Sequence, residues 1–205
     1  YIETDVQLSS DGIPYIFHDD DLSRLFGKDI MFNSLHSNEI NKLMLFDKYK
    51  IPTLETALKK FPETFFQIDV KTDDVTKPAM KIIEETNSLD RVCIASFSSE
   101  RLKLVGNLYP GVCLSMGPKE IIKLFFASFG LYKKKIPGDC LQIPIYQYGI
   151  KLATNRFVKY AQSIGLKIHV WTINDEDTML KLIDLGVDGI ITDRPKALKE
   201  LLSHH

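Results

Sequence analysis

The sequence has few cysteines, almost no net charge and no long apolar run, and each absence excludes a class of protein. Three cysteines in apolar stretches (Cys93, Cys113 and Cys140) do not suit a disulfide framework, so we interpret them as core residues, which favours a reducing compartment. A net charge of -1 gives no general field for nucleic acid. No stretch reaches the roughly 18 apolar residues of a membrane span. A cytoplasmic or peripheral membrane location is therefore favoured.

Short apolar strands alternate with amphipathic helices along the chain. Strands are predicted where Val, Ile and Phe cluster between turn residues, at 1–8, 14–17, 64–71, 91–96, 111–116, 139–144, 167–173 and 189–192. Helices are predicted between them at 53–58, 77–86, 98–107, 155–163, 175–185 and 195–202. Near-continuous apolar strands joined by helices indicate a parallel sheet covered by helices.

The number of strand–helix units favours an α/β fold of the TIM (β/α)8 barrel type. Seven barrel strands remain if 14–17 is a hairpin partner outside the barrel, so we expect the first strand–helix unit to be missing from this chain. Residues 1–203 are predicted to form one domain, incomplete at its N-terminus, and 204–205 to be a possible tag remnant. Because an open barrel exposes two strand edges, self-association is a further expectation.

The first predicted strand carries two acidic residues on one face. Residues i and i+2 of a strand point to the same side, so Glu3 and Asp5 aim at one place. Two such carboxylates repel unless a positive group lies between them, and oxygen ligands suit a hard divalent cation, Ca²⁺ or Mg²⁺. The alternative is a solvated strand edge with acidic residues on its wet face. The neighbouring apolar residues Ile2, Val6 and Leu8 weaken that alternative.

A charged pair of opposite sign ends the strand predicted at 64–71, and barrel enzymes carry their catalytic groups at such strand ends. Asp69 and Lys71 are again two residues apart and share a face. Burying a charge without a partner is costly. A cation shared by Glu3, Asp5 and Asp69, with Lys71 and a phosphate beside it, would neutralise the whole set.

The ordered set of motifs in this chain resembles the glycerophosphodiester phosphodiesterase family. The motifs lie at 3–6, 12–14, 18–19, 51–55, 68–71, 95–97, 170–174 and 189–195. Each motif alone is weak, but their order spans essentially the whole chain. The resemblance implies a TIM barrel with a bound Ca²⁺ or Mg²⁺ that hydrolyses a small-molecule glycerophosphodiester to glycerol 3-phosphate and an alcohol.

The resemblance also implies roles for particular residues. Glu3, Asp5 and Asp69 match the metal ligands of the family, although many members carry Glu in the third position. His18 matches one of two catalytic histidines. Lys71 matches the lysine that contacts the phosphate and is therefore expected to bind substrate and assist catalysis.

Trp171 matches an aromatic residue that lines the substrate cleft of the family, with simple core packing as the alternative. The His-Arg-Gly segment of the family, which carries the second catalytic histidine and a phosphate-binding arginine, has no counterpart in this sequence. We therefore expect the chain as given to be weakly active or inactive. An alternative of another class is a catalytically impaired barrel that acts as a binding module.

The most apolar stretch outside a predicted strand is 121–132, and three lysines follow it at 133–135. One interpretation is a buried barrel helix with a solvated basic end. The other is peripheral membrane contact or an acyl-chain site through 121–135, which would shift the substrate to lysophospholipids, as in lysophospholipase D enzymes. Both interpretations stay open from the sequence alone.

Overall fold

The computed structural model describes residues 1–203, and the possible tag remnant at 204–205 lies outside the described residues. The described chain divides into two compact units, Tyr1–Cys113 and a second that begins at Leu114. Within residues 1–203, no helix combines the length and the apolar character needed to cross a membrane.

The first unit alternates strands with helices. Its strands are β1 (Ile2–Leu8), β2 (Pro14–Ile16), β3 (Asp21–Leu22), β4 (Lys28–Met31), β5 (Met44–Leu45), β6 (Tyr49–Lys50), β7 (Phe66–Val70), β8 (Val92–Ala95) and β9 (Cys113–Leu114), whose last residue opens the second unit. Its α-helices are α1 (Ser23–Phe26), α2 (Ser37–Ile40), α3 (Leu54–Lys60), α4 (Asp73–Glu85) and α5 (Ser99–Leu108). Two single-turn 3₁₀ helices cover Phe32–Ser34 and Leu89–Arg91.

The main sheet of the first unit has the strand order β2-β1-β7-β8-β9. Strands β1, β7 and β8 run parallel, whereas β2 pairs with β1 as an antiparallel hairpin partner. Every residue of β7 is buried, as expected of a parallel strand covered on both faces. The strands therefore fix the positions of the polar groups at their carboxyl ends.

Capping residues set the starts of the predicted helices. The Thr53 hydroxyl accepts a hydrogen bond from the Thr56 amide at 3.0 Å and opens α3. Ser98 caps α5 by accepting from the Arg101 amide at 3.3 Å. Helix α4 begins four residues before the predicted start. The acidic residues of its first turn interact favourably with the helix dipole, and Pro78 inside the helix removes only one backbone hydrogen bond.

The short elements between β2 and α3 were not predicted from the sequence. They enclose a small apolar cluster formed by Tyr15, Phe17, Leu22, Phe32, Ile40 and Ile51. Two-residue strands and one-turn helices are too short to show a hydrophobic period. The stretch therefore folds around this cluster and not through strong local preferences.

The second unit also alternates helices with strands. Its elements are α6 (Pro118–Ala127), β10 (Cys140–Pro144), β11 (Tyr146–Gln147), β12 (Ile150–Lys151), α7 (Asn155–Ser163), β13 (Lys167–Trp171), α8 (Glu176–Leu185), β14 (Gly189–Ile190) and α9 (Pro195–Ser203). Strands β10, β13 and β14 form a parallel sheet in that order. The core of this unit includes the buried side chains of Leu141, Ile143, Ile168 and Val170.

Candidate active site

The parallel pairing of β1 with β7 brings three carboxylates to one face of the sheet. Asp5 and Asp69 are register partners on the two strands, and neighbouring strands lie only about 4.8 Å apart. Glu3 points to the same face as Asp5, since the two residues are two apart on β1. The three predicted metal ligands, Glu3 and Asp5 on β1 and Asp69 on β7, therefore lie on one face of the sheet.

Electrostatics at this face favour a positive ion. Asp69 is 7% exposed, and its Oδ1 atom is buried without a hydrogen-bond partner in the structure. Burial raises the pKa of Asp69 to about 6. The negative charge of Asp5 also raises this pKa, whereas the positive charge of Lys71 lowers it. The pKa of Glu3 is raised to about 7, although the residue keeps contact with solvent. The main cause is the loss of water around its carboxyl group, and the negative charges of Asp5 and Asp69 add to it.

The residues at this face fit a divalent cation. A buried carboxylate oxygen without a donor is costly unless a cation binds it. Three carboxylates supply the hard oxygen donors that Ca²⁺ and Mg²⁺ prefer. Glu3, Asp5 and Asp69 could therefore hold one such ion.

Lys71, which directly follows β7, adds a positive charge to the same face. Its Nζ atom lies 2.7 Å from Oδ1 of Asp5, and both side chains are mostly buried, with exposed fractions of 18% and 15%. The ion pair neutralises one of the three carboxylates. It also leaves a cationic group where an anionic substrate would meet the carboxylate cluster.

His18 is held beside this cluster by the β1–β2 hairpin. The Phe17 amide donates a hydrogen bond to the carbonyl oxygen of Asp5 at 3.1 Å, which ties the end of the hairpin to β1. Nδ1 of His18 lies 2.7 Å from Oδ1 of Asp19. Arg24 donates to both Asp19 oxygens, at 2.7 and 3.1 Å, and holds the pKa of that carboxyl below its usual range. An ionised Asp19 orients the imidazole, which leaves Nε2 as the atom that would exchange a proton.

Arg101 is a site residue that the sequence analysis missed. Its Nη1 atom donates to the carbonyl oxygen of Val70 at 2.9 Å and to the Ser96 hydroxyl at 2.7 Å. The Ser96 hydroxyl also donates to the Val70 carbonyl oxygen, at 3.0 Å. Because Val70 separates Asp69 from Lys71, these bonds fix the backbone that carries both side chains.

A signal for Arg101 was present in the sequence. The residue occupies the third position of α5, where the helix dipole disfavours a cation. An arginine there, four residues after the Ala95-Ser96-Phe97 motif, indicates that it binds something outside its own helix.

Trp171 lies in the second unit, at the carboxyl end of β13, and is half-buried. The loop after this strand is organised by Asn174, whose amide nitrogen donates to the Asp193 carboxylate at 2.8 Å and whose Oδ1 atom accepts from the Asp193 amide at 2.9 Å. These contacts fix the loops after β13 and β14 to each other. The expected substrate contact of Trp171 stays a prediction.

Parallel strands with carboxylates, a lysine and a histidine at their ends are typical of a barrel hydrolase that acts on a phosphate ester. Residues 1–197 match the glycerophosphoryl diester phosphodiesterase family. The chain belongs to this family.

Individual relatives agree with this assignment. A probable glycerophosphodiester phosphodiesterase 2 of Mycobacterium tuberculosis is 31% identical over an alignment of 208 residues, gaps included. The alignment covers 98% of this chain and 79% of the relative. A lysophospholipase D of Rattus norvegicus is 21% identical, over 99% of this chain and 77% of the relative. An Oleispira antarctica phosphodiesterase, solved in complex with sn-glycerol-3-phosphate, superposes with a TM-score of 0.81 at 22% identity, over 99% of this chain and 85% of that one.

The comparisons confirm the predicted family and the predicted α/β fold class, the TIM barrel. They also confirm, at the level of the family, the predicted reaction and enzyme class, hydrolysis of glycerophosphodiesters by a phosphodiesterase. The family generally depends on a divalent metal, and its substrates are small molecules. The roles of individual residues in this chain remain proposals.

Proposed function

We propose that this chain hydrolyses glycerophosphodiesters to glycerol 3-phosphate and an alcohol, more slowly than family members that contain the His-Arg-Gly segment. One Ca²⁺ or Mg²⁺ is held by Glu3, Asp5 and Asp69. The observation that carries the proposal is the buried, unpartnered Oδ1 atom of Asp69, opposite Asp5 in the strand register. Packing alone gives no reason for a carboxylate oxygen in such a position. The bound cation supplies positive charge that offsets the charge developing on the phosphate.

The other residues of the first unit have distinct roles in this proposal. Lys71 binds a phosphate oxygen with its ammonium group while Asp5 holds that group in place. His18 exchanges a proton at Nε2, as a base toward the attacking water or as an acid toward the leaving alkoxide. If the glycerol hydroxyl attacks instead, the alcohol leaves and a cyclic phosphate forms, which water then opens to glycerol 3-phosphate. Asp19 keeps the ring in the orientation that this exchange needs.

A second candidate substrate is a lysophospholipid, cleaved by the same phosphodiester chemistry. The lysophospholipase D relative supports it, as do exposed apolar side chains on α6 such as Phe126, which is 46% exposed. Peripheral membrane contact through 121–135 and self-association of the chain are further predictions.

The decisive experiment measures release of glycerol 3-phosphate from glycerophosphocholine by the purified protein, after chelation and after addition of Ca²⁺ or Mg²⁺. Chelation should abolish turnover, and Asp69→Asn should reduce both turnover and cation binding measured by calorimetry. Asp90→Asn, on the exposed Leu89–Arg91 turn, is the matched control and should change neither. Full turnover in Asp69→Asn with unchanged cation affinity would contradict the proposed site.

The choice between the two substrates needs a separate assay. A panel of glycerophosphodiesters and lysophospholipids with the same head groups isolates the effect of the acyl chain. Faster turnover of the acylated series would favour the second candidate. A preference for the series without an acyl chain would reject it.

A further inference from the structure

Helix α6 of the second unit is apolar on two opposite faces. Ile121, Leu124 and Ala127 are buried in the core of the unit. The opposite face carries the exposed Ile122 and Phe126, and the turn after the helix adds the exposed Phe129 and Leu131. We call these four residues the α6 patch; their exposed fractions are 44, 46, 49 and 73% in that order. An exposed apolar row on a helix whose other face is already packed indicates a surface that contacts something else.

The aromatic rings of the α6 patch are held in place from inside the unit. Phe125 packs with its ring centroid 5.7 Å from that of the buried Phe157. The same ring contacts Phe126 at 6.1 Å and Phe129 at 5.2 Å. The exposed rings are therefore supported by the core.

Positive charge surrounds the α6 patch in a chain whose net charge is -1. Lys119, Lys123 and the exposed run 133–135 supply five lysines, and Glu120 alone is acidic in the segment 119–135. Nζ of Lys123 lies 3.4 Å from Oε1 of Glu120, so the segment keeps an excess of four positive charges. The Arg156 guanidinium lies 4.8 Å from the ring centroid of Phe129. The apolar row thus has a basic border made by two neighbouring helices and the following loop.

We propose that the α6 patch binds the surface of a membrane that contains anionic phospholipids. Apolar side chains beside lysines match the two layers of such a surface, since the rings enter the boundary between head groups and acyl chains while the lysines meet phosphate groups. The charge complementarity selects an anionic bilayer. This inference does not depend on the proposed catalytic roles, because none of its residues belongs to the carboxylate cluster.

The test is co-sedimentation of the full chain with vesicles of phosphatidylcholine alone, or of phosphatidylcholine and phosphatidylglycerol in equal parts. We expect binding to the anionic vesicles that weakens as salt is added. Substituting Lys133, Lys134 and Lys135 together by Gln should weaken this binding on the order of 100-fold. The control substitutes the exposed lysines Lys77, Lys103 and Lys199 by Gln and should retain binding.

A second variant tests the apolar half of the surface. Phe126→Ser combined with Leu131→Ser should reduce binding to anionic vesicles, whereas Leu108→Ser, at a 51% exposed position on α5, should not. Circular dichroism and thermal unfolding establish that each variant is folded. Wild-type protein that fails to sediment with anionic vesicles overturns the proposal, as does binding that both patch variants retain. A patch variant that changes only the oligomeric state in sedimentation velocity would assign the surface to a second copy of the chain and also overturn it.

Discussion

At the scale of single residues, His18 is the group whose removal should separate chemistry from metal binding. His18→Ala should lower kcat about 10²–10⁴-fold, the usual contribution of a general acid or base. The cation-induced rise in Tm should remain, because His18 is not among the proposed ligands. The comparison is His36→Ala, which removes the cap of α2 and should lower Tm without changing kcat. An unchanged kcat in His18→Ala would exclude a role for His18 as general acid or base.

The two raised carboxyl pKa values predict how stability depends on pH. Burial raises the pKa of Glu3 to about 7 and that of Asp69 to about 6, against ordinary values of 4.5 and 3.8. When folding raises the pKa of an acid, the stabilisation is fully present at a pH below the pKa of the unfolded chain. It is lost as the pH rises through the pKa of the folded chain. In chelator, Tm should therefore fall between about pH 4 and about pH 7.

Variants and cations should change this pH dependence in a defined way. Glu3→Gln should flatten the fall in Tm, while Glu63→Gln, at an exposed position before β7, should leave it intact. Ca²⁺ or Mg²⁺ should raise Tm more above about pH 7 than below about pH 5, since cations bind ionised carboxylates. A Tm that rises with pH in chelator would show that burial of these carboxyls is not destabilising.

Arg101 is predicted to position the metal ligands without touching the ion. Arg101→Met should weaken cation affinity roughly 10- to 100-fold, as loss of an outer hydrogen-bond partner typically does, because Val70 then loses one of its donors. Arg101→Lys should restore part of the affinity. Lys103→Met, on the same helix, serves as control. Calorimetric titration with Ca²⁺ gives the affinities, and equal values for all three variants would exclude a positioning role.

At the scale of elements, the parallel pair β13–β14 depends on a glycine. Gly189 faces His169 in the register, and a Cβ at position 189 would lie 2.7 Å from Cδ2 of that imidazole. Gly189→Ala should therefore lower the free energy of unfolding by about 1–3 kcal/mol. In a His169→Ala background the same change should cost much less, since the obstructing ring is gone. Urea denaturation of the four proteins measures this coupling, and additive costs would show that the ring does not limit position 189.

Element boundaries show which parts of the fold local sequence can predict. Helix α7 is found at the predicted residues, because a threonine cap precedes a strongly amphipathic stretch. Strands β1, β7 and β13 are also found within a few residues of their predicted bounds. The hairpins β3–β4 and β5–β6 escaped prediction because their two- to four-residue strands depend on contacts within the apolar cluster around Phe32. Local preference is therefore sufficient for long elements and insufficient for short ones.

At the scale of the whole molecule, the carboxylate cluster links stability to the concentration of divalent cation. A site that binds only in the folded chain stabilises it by about 2.7 kcal/mol when the cation is present at 100 times its Kd. Thermal unfolding in increasing Ca²⁺ or Mg²⁺ should show a Tm that rises with the logarithm of concentration. The ion with the larger shift is the one that the site prefers. If neither ion changes the Tm, the proposed cation site at Glu3, Asp5 and Asp69 is excluded.

Charge is also distributed unevenly over the molecule. The net charge of -1 hides a basic border around the α6 patch and an acidic group where β1 and β7 pair. A chain of nearly neutral composition can therefore contain two sites with opposite preferences, one for cations and one for anionic surfaces.

The sequence by itself determined which family the chain resembles, through its ordered motifs. It also determined which residues share a strand face and where the helices with a serine or threonine cap begin. The last two properties follow from local geometry: a strand alternates every two residues, so Glu3 and Asp5 had to point together, and a threonine or serine before an amphipathic stretch caps a helix. Only the tertiary structure decided that Asp5 lies opposite Asp69, that an Asp69 oxygen is buried without a donor, and that Arg101 binds the Val70 carbonyl. Strand register and burial depend on contacts between residues far apart in the chain, and local preferences do not encode those contacts.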